Sequence, residues 1–211
     1  MTSRPLLTPR KRLAAALFAA AGLAGCISLL PKERPVQLYS FVGPPLAAPA
    51  PLAPGARKVA VRATLSSFER AAASDRLLTA DGNAADYIAN ARWVASAQSL
   101  FESALTARFD AASGPAQLLT RSEPAASDAR LDLAVTRFEA RYDRGPGAPP
   151  TVIVEIRASL DAQGASGAGR SQTFIARVPA EENRVRAIVA AYAKAVGSAL
   201  DALVAWTNAN A

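Results

Sequence analysis

"TVIVEIRASLDAQGASGAGRSQTFIARV", residues 151–178, decides the fold. Val152, Val154, Ile156, Ala158 and Leu160 alternate with Ile153, Glu155, Arg157 and Ser159, the period of a strand with one buried face. "QGASGAGR" (163–170) reads as a hairpin loop, and "SQTFIARV" (171–178) as the returning strand. Glycines that cradle a phosphate join a strand to a helix. These join two strands, so the turn reading is preferred.

Immediately before the hairpin, "ARLDLAVTRFEARYD" (129–143) places Leu131, Leu133 and Val135 on one face, then shifts phase to Phe138, Ala140 and Tyr142. A phase shift inside a long strand predicts a bulge near Thr136–Arg137. "GPGAPP" (145–150) supplies the turn between the two strands. After the hairpin, Val185, Ile188, Val189, Tyr192, Val196, Leu200, Leu203 and Trp206 recur at helical spacing over 181–207. Glu181 and Glu182 are expected in the first turn of that helix, at the positive end of its dipole.

Farther upstream, "RKVAVRATL" (57–65) alternates as a half-buried strand, and "VQLYSFVG" (36–43) is a short strand candidate. Residues 66–90 look irregular, with a turn at Asp81–Gly82 and a short strand in "ADYIA". A helix is expected over 92–112, with Val94, Ala97, Phe101, Ala104, Leu105 and Phe109 on its apolar side, and "AQLLT" (116–120) is a further strand candidate. Between the first two strands, "GPPLAAPAPLAPGA" (43–56) favours polyproline II and is either a spacer or a surface loop. Strands, one helix, a run of strands and a long helix give an α+β fold. Its sheet is mixed or mainly antiparallel, with the helices, including the long C-terminal one, packed on one face. Trp93 and Trp206 are the expected core anchors.

The chain has 211 residues, no histidine and a single cysteine. Residues 1–25 read as a signal peptide: Arg4, Arg10, Lys11 and Arg12 precede the apolar run Leu13–Leu23, with no acidic residue. That run is shorter than the roughly 20 apolar residues of a bilayer-spanning helix. Leaving out its four basic residues lowers the chain's formal charge from +7 to about +3, so the basic balance gives little support for nucleic-acid binding. Leu23-Ala24-Gly25-Cys26 fits a lipobox. Small side chains admit the extended backbone to a membrane-surface peptidase, and the Cys26 thiol takes the diacylglyceryl group. Each buried acyl CH₂ is worth about 0.8 kcal/mol, so two or three chains such as palmitate anchor stably where one does not. An ordinary signal peptide that leaves a free cysteine is the alternative. Ile27, where an inner-membrane lipoprotein would carry Asp, directs the expectation to the outer membrane, facing the periplasm. Residues 26–35 are then a lipidated tether, and 36–211 one α+β domain.

The missing histidine removes a Ser-His-Asp triad, a histidine base and histidine metal ligands, and leaves a catalytic thiol without its activating partner. One cysteine cannot make a thiolate zinc site. The carboxylates Asp75, Asp81, Asp86, Glu102, Asp110, Glu123, Asp128, Asp132, Glu139 and Asp143 are scattered without calcium-loop spacing. Lys58 and Lys194 are the formal partners for a serine nucleophile, but Lys194 sits opposite the apolar stripe of its helix. The strand arginines Arg62, Arg137, Arg141, Arg157 and Arg177 point mostly outward by alternation. They suit a solubilising face, or a surface meeting acidic lipid heads or a partner. No catalytic, metal-binding or cofactor-binding residue is assigned; the single assigned site is lipidation of Cys26.

With the lipobox, "QLYSF", "KVAVRATL" and "DRLLTADGNAADYIANARWVASAQSLFESALTARF" in place, the layout resembles the ABC-type transport auxiliary lipoproteins. The family's short Tyr-containing strand, Asp-Arg pair, short strand and helix-opening Trp correspond here to Tyr39, Asp75, Arg76, Tyr87 and Trp93. The Pro/Ala insert and "WVASA" depart from its pattern. The resemblance implies a non-enzymatic outer-membrane lipoprotein working with a permease, an ATPase and an MCE-domain (mammalian cell entry) protein, whose cargo is phospholipid or another hydrophobic molecule. Its role would be docking the periplasmic MCE assembly, and self-association into a homo-oligomer is compatible with that role. The rival reading is a stand-alone periplasmic lipoprotein that binds an apolar ligand or an envelope polymer. A lipid-anchored hydrolase using carboxylates is the third.

Overall fold

The computed structural model describes residues 35–43, 57–119, 126–163 and 169–211. Residues 1–34, with the expected signal peptide and Cys26, and residues 44–56, 120–125 and 164–168 lie outside them. Eight strands and two helices occur among the described residues: β1 (Gln37–Tyr39), β2 (Val59–Phe68), β3 (Arg76–Asp81), β4 (Ala84–Trp93), α1 (Ala97–Ala111), β5 (Ala116–Leu118), β6 (Ala129–Arg141), β7 (Thr151–Ala162), β8 (Arg170–Pro179) and α2 (Val185–Asn210).

The quoted hairpin forms as its alternation requires. β7 pairs antiparallel with β8 from Thr151↔Pro179 to Leu160↔Arg170, and with β6 along the other edge. The pairing of β6 with β7 slips between Val135 and Arg137. Thr136 is the extra residue of the expected bulge, and it lets Leu131, Leu133, Val135, Phe138 and Ala140 all face the core.

The remaining edge of β6 is shared. β2 lies parallel to its first half, from Val61↔Ala129 to Phe68↔Val135, and β3 lies parallel to its end, at Thr79↔Ala140 and Ala80↔Arg141. Two separate strands therefore follow one another along one lane, and the sheet forks beyond them. β5 extends the β2 branch in parallel, while β4 and then β1 extend the β3 branch. The sheet is mixed, and the fold is α+β. β2 also slips, between Leu65 and Ser67, where the Ser66 hydroxyl donates to the Leu133 carbonyl at 2.7 Å.

α2 packs on β7 and β8, with α1 beside it. Ile188, Tyr192, Val196, Leu200 and Leu203 are buried along its inner stripe, and Lys194 is exposed beside Glu181, 3.0 Å away. By length and hydropathy α2 matches a membrane-spanning helix, but most of that span is buried against the protein. It is the core helix of this fold.

Four expectations need correction. Residues 66–90 are not irregular: they hold most of the β3–β4 hairpin, turned at Gly82–Asn83 with Gly82 at φ +54°. Trp93 ends β4 instead of opening a helix, and α1 starts at Ala97, where the Ser96 hydroxyl accepts from the Ser99 N–H at 3.1 Å. Val94 is consequently 54% exposed and not part of the helix's apolar side. Glu181 and Glu182 precede α2, because Arg184 at the cap position is still extended (φ −134°, ψ 144°). Trp93 is fully buried, whereas Trp206 is half-buried, edge-on to Phe174 at 5.8 Å.

Candidate functional site

The residues that carried the family resemblance meet at one corner of the sheet. Tyr39 of β1 is the register partner of Trp93 on β4, and its carbonyl accepts from the Val94 N–H at 2.8 Å. The Trp93 N–H in turn donates to the Asp75 carbonyl at 2.7 Å. The Asp75 carboxylate accepts both hydrogen bonds from Arg92 Nη1, at 3.0 and 3.1 Å, so its partner is Arg92 and not the adjacent Arg76. Arg76 instead lies over the Tyr87 ring, 3.6 Å from its centroid, and the Tyr87 hydroxyl donates to the Ala71 carbonyl. The Asp-Arg pair thus fastens the 69–75 excursion to β4. Its exposed ion pair is worth at most about 1 kcal/mol; the buried Trp93 beneath it matters more.

Under the corner is an aromatic cluster. Phe41 stands edge-on to Trp93 at 5.0 Å, and Trp93 edge-on to Tyr192 at 5.2 Å. Phe138 lies 5.0 Å from Tyr192 and 5.2 Å from Phe68. The Tyr192 hydroxyl, wholly enclosed, donates to the Leu78 carbonyl at 3.1 Å. Burial pushes its pKa far above the ordinary tyrosine value, with the Glu139 charge adding to the shift. Tyr192 therefore acts as a neutral hydrogen-bond donor that ties α2 to β3.

From Phe41 an open groove of about 770 Å³ runs between α1 and α2. Its floor is apolar, with Phe41, Ala104, Val196 and Leu200, and one charge pair crosses it: Arg108 Nη1 to Asp201 Oδ1, 2.6 Å. The Arg108 guanidinium lies over Gly197, where a Cβ would come within 2.8 Å of Nη2. An apolar floor spanned by one ion pair suits a binding surface for an apolar or amphipathic partner.

On the face of the sheet opposite the helices, Glu139 accepts from Arg137 and Arg141, and Glu155 accepts from the Thr136 hydroxyl at 2.8 Å. The Glu139 hydrogen bond raises the Arg141 pKa. Arg157 and Arg177 are exposed as alternation predicts, but Arg137 and Arg141 are partly covered within this network. The carboxylates stay dispersed: among the described residues no three of His, Cys, Asp and Glu come together as a metal site. Cys26 and Glu123 lie outside the described residues. Sequence reasoning missed the α1–α2 groove, whose only signal was the many alanines of the two helices and the single Gly197 of α2.

A family model described as the ABC-type transport auxiliary lipoprotein component matches residues 46–204. Among solved structures, the chain is similar to protein XCC0632 from Xanthomonas campestris, with a TM-score of 0.64 and 22% identity, covering 82% of this chain and 95% of that one. A protein described as uncharacterized gives a TM-score of 0.60 at 15% identity, over 82% and 99%. The hypothetical protein CT253 from Chlamydia trachomatis gives 0.50 at 11% identity, over 72% and 97%. At these identities the likeness is one of fold. No curated protein matches the sequence.

Proposed function

The chain belongs to the ABC-type transport auxiliary lipoprotein family, and from that membership we propose a non-enzymatic, lipid-anchored subunit that docks a transport assembly at the outer membrane. The observation that carries the proposal is the family match across residues 46–204. In this reading Cys26 is the acylated first residue after a leader of residues 1–25, residues 26–35 are its tether, and 36–211 is one periplasm-facing domain. The docked partner is an MCE-domain protein with its permease and ATPase, and the cargo is a phospholipid or another hydrophobic molecule. The α1–α2 groove supports a binding role: it is open, apolar and crossed by a single ion pair. The lipobox supports the anchor, and Ile27 the outer-membrane destination.

Docking is tested by isolating tagged protein from native membranes in mild detergent after crosslinking, with mass spectrometry of proteins and lipids. Recovery of an MCE-domain protein together with a permease and an ATPase is expected. Recovery of the lipoprotein alone, with bound lipid or envelope polymer, would instead establish the stand-alone binding role that the groove also permits. The anchor has its own test: Cys26→Ser is expected to abolish acyl labelling and leave uncleaved or soluble protein, and persistent acylation in that variant would sink the assignment.

A further inference from the structure

Four large apolar side chains are exposed among the described residues, and three of them gather at the β1–β4 corner. Val36 is 50%, Leu38 63% and Val94 54% exposed; the fourth, Ile175, lies on β8 at the far edge of the sheet. Backbone geometry holds the three together. Leu38 is the register partner of Arg92, so both point to the same side, and Val94 follows Arg92 by two residues as Val36 precedes Leu38 by two. On the other side of the same segment Trp93 is buried in the core and Tyr39 packs against its edge, leaving these valines and leucine outside. Arg92 is in turn the cross-strand partner of Arg76. The patch is therefore apolar and flanked on one side by Arg92, whose guanidinium is paired to Asp75, and by Arg76, whose guanidinium lies over the Tyr87 ring.

The position of the patch in the chain indicates its occupant. Nine residues separate Cys26 from Val36, which fully extended reach roughly 35 Å. Among the described segments this corner lies nearest the anchor along the chain. Apolar side chains rimmed by arginines match a bilayer surface, where acyl chains lie beneath anionic headgroups. We propose that the Val36–Leu38–Val94 corner rests on the membrane that holds the lipid anchor, with Arg76 and Arg92 toward anionic phospholipid headgroups. The proposal depends on the acylation of Cys26 put forward above. It orients the molecule with the β1 edge against the bilayer and the β7–β8 edge away from it.

Acylation blocks the only native thiol, so one introduced cysteine can be labelled at a time. The variants Leu38→Cys, Val94→Cys and, on the distant exposed β8, Gln172→Cys are purified as acylated full-length protein. Each carries an environment-sensitive fluorophore and is reconstituted in vesicles of phosphatidylethanolamine and phosphatidylglycerol containing brominated lipid. Intact mass reports the acyl group on Cys26 independently. With the acyl mass present, quenching at 38 and 94 is expected to exceed that at 172 several-fold. Equal quenching at all three sites, with the acyl mass present, overturns the membrane-facing corner and leaves the anchor standing. Absence of the acyl mass removes both. Crosslinking of position 38 to position 38 of another copy, without lipid quenching, overturns the proposal in favour of edge-to-edge pairing of β1 strands.

Discussion

Tyr192 shows how much one atom contributes when nothing else can reach it. Its hydroxyl is the donor for a carbonyl on β3, and no water competes for either group. Tyr192→Phe removes the donor and strands the Leu78 carbonyl, with an expected loss of about 1–3 kcal/mol in chemical denaturation. The raised pKa adds a pH signature. Below about pH 10, the ordinary tyrosine value, the folded and unfolded chains hold the same proton. Above it the unfolded chain ionises first, so stability falls as pH rises toward the folded-state pKa. Spectrophotometric titration should show Tyr192 silent until the fold is lost, and that alkaline decline should be weaker in Tyr192→Phe. Two tryptophans divide similarly by depth. Trp93→Ala is expected to cost about 3–5 kcal/mol, and Trp206→Ala clearly less, because its ring is only partly buried. Equal losses would show that exposure is a poor guide here. Trp93 was legible as a core residue from its type, but its strand was not. The helical spacing of Ala97, Phe101 and Phe109 extends backward through Val94 by coincidence, and only the Ser96 cap marks where the helix begins.

Strands were legible where period two is clean and hidden where it is broken. β7 alternates from Val154 to Leu160, although Ile153 on its other face is buried too, and the bulge in β6 was readable because large side chains flank it on both sides. β3 and β4 gave no such pattern. Leu77 and Leu78 are adjacent and both buried, Asn90 takes a positive φ of 57°, and much of β4 is exposed and alanine-rich. Of this hairpin the turn at Asp81–Gly82 and the short strand in "ADYIA", which lies inside β4, were visible, and Gly82 takes the positive φ of the turn. Gly82→Ala would meet no neighbouring atom, so its expected cost is the backbone alone, about 1–2 kcal/mol. The β6 bulge makes a sharper prediction. Without Thr136, Val135, Arg137 and Phe138 alternate regularly, and β7 already pairs them in sequence as Ile156, Glu155 and Val154. Deleting Thr136 is therefore expected to leave the protein folded, losing roughly 1–2 kcal/mol with the hydroxyl bond to Glu155. Deleting Arg157 from the unbulged β7 turns half of that strand inside out and should give no soluble product. Circular dichroism and expression of the two deletions decide the matter.

At the scale of the molecule, the fold class and the C-terminal helix followed from the order of elements, but the forked sheet did not. Alternation says which face a residue takes and nothing about which strand lies beside it. Nothing in the alternation places β2 beside β6, or β3 after it along the same lane. The α1–α2 groove was invisible for a related reason: it is made by two helices that begin roughly ninety positions apart. The shared lane of β2 and β3 also has a kinetic consequence. Every partner of β2 lies later in the chain, most of them more than sixty positions on. Contacts that distant require large loops to close first, so folding is expected on the millisecond-to-second scale, slower than for a helical protein of the same size. In the export proposed for this chain, β2 would emerge well before β6 is there to receive it. Its apolar side must wait, and whatever holds unfolded chains soluble outside the cytoplasm will meet that segment first.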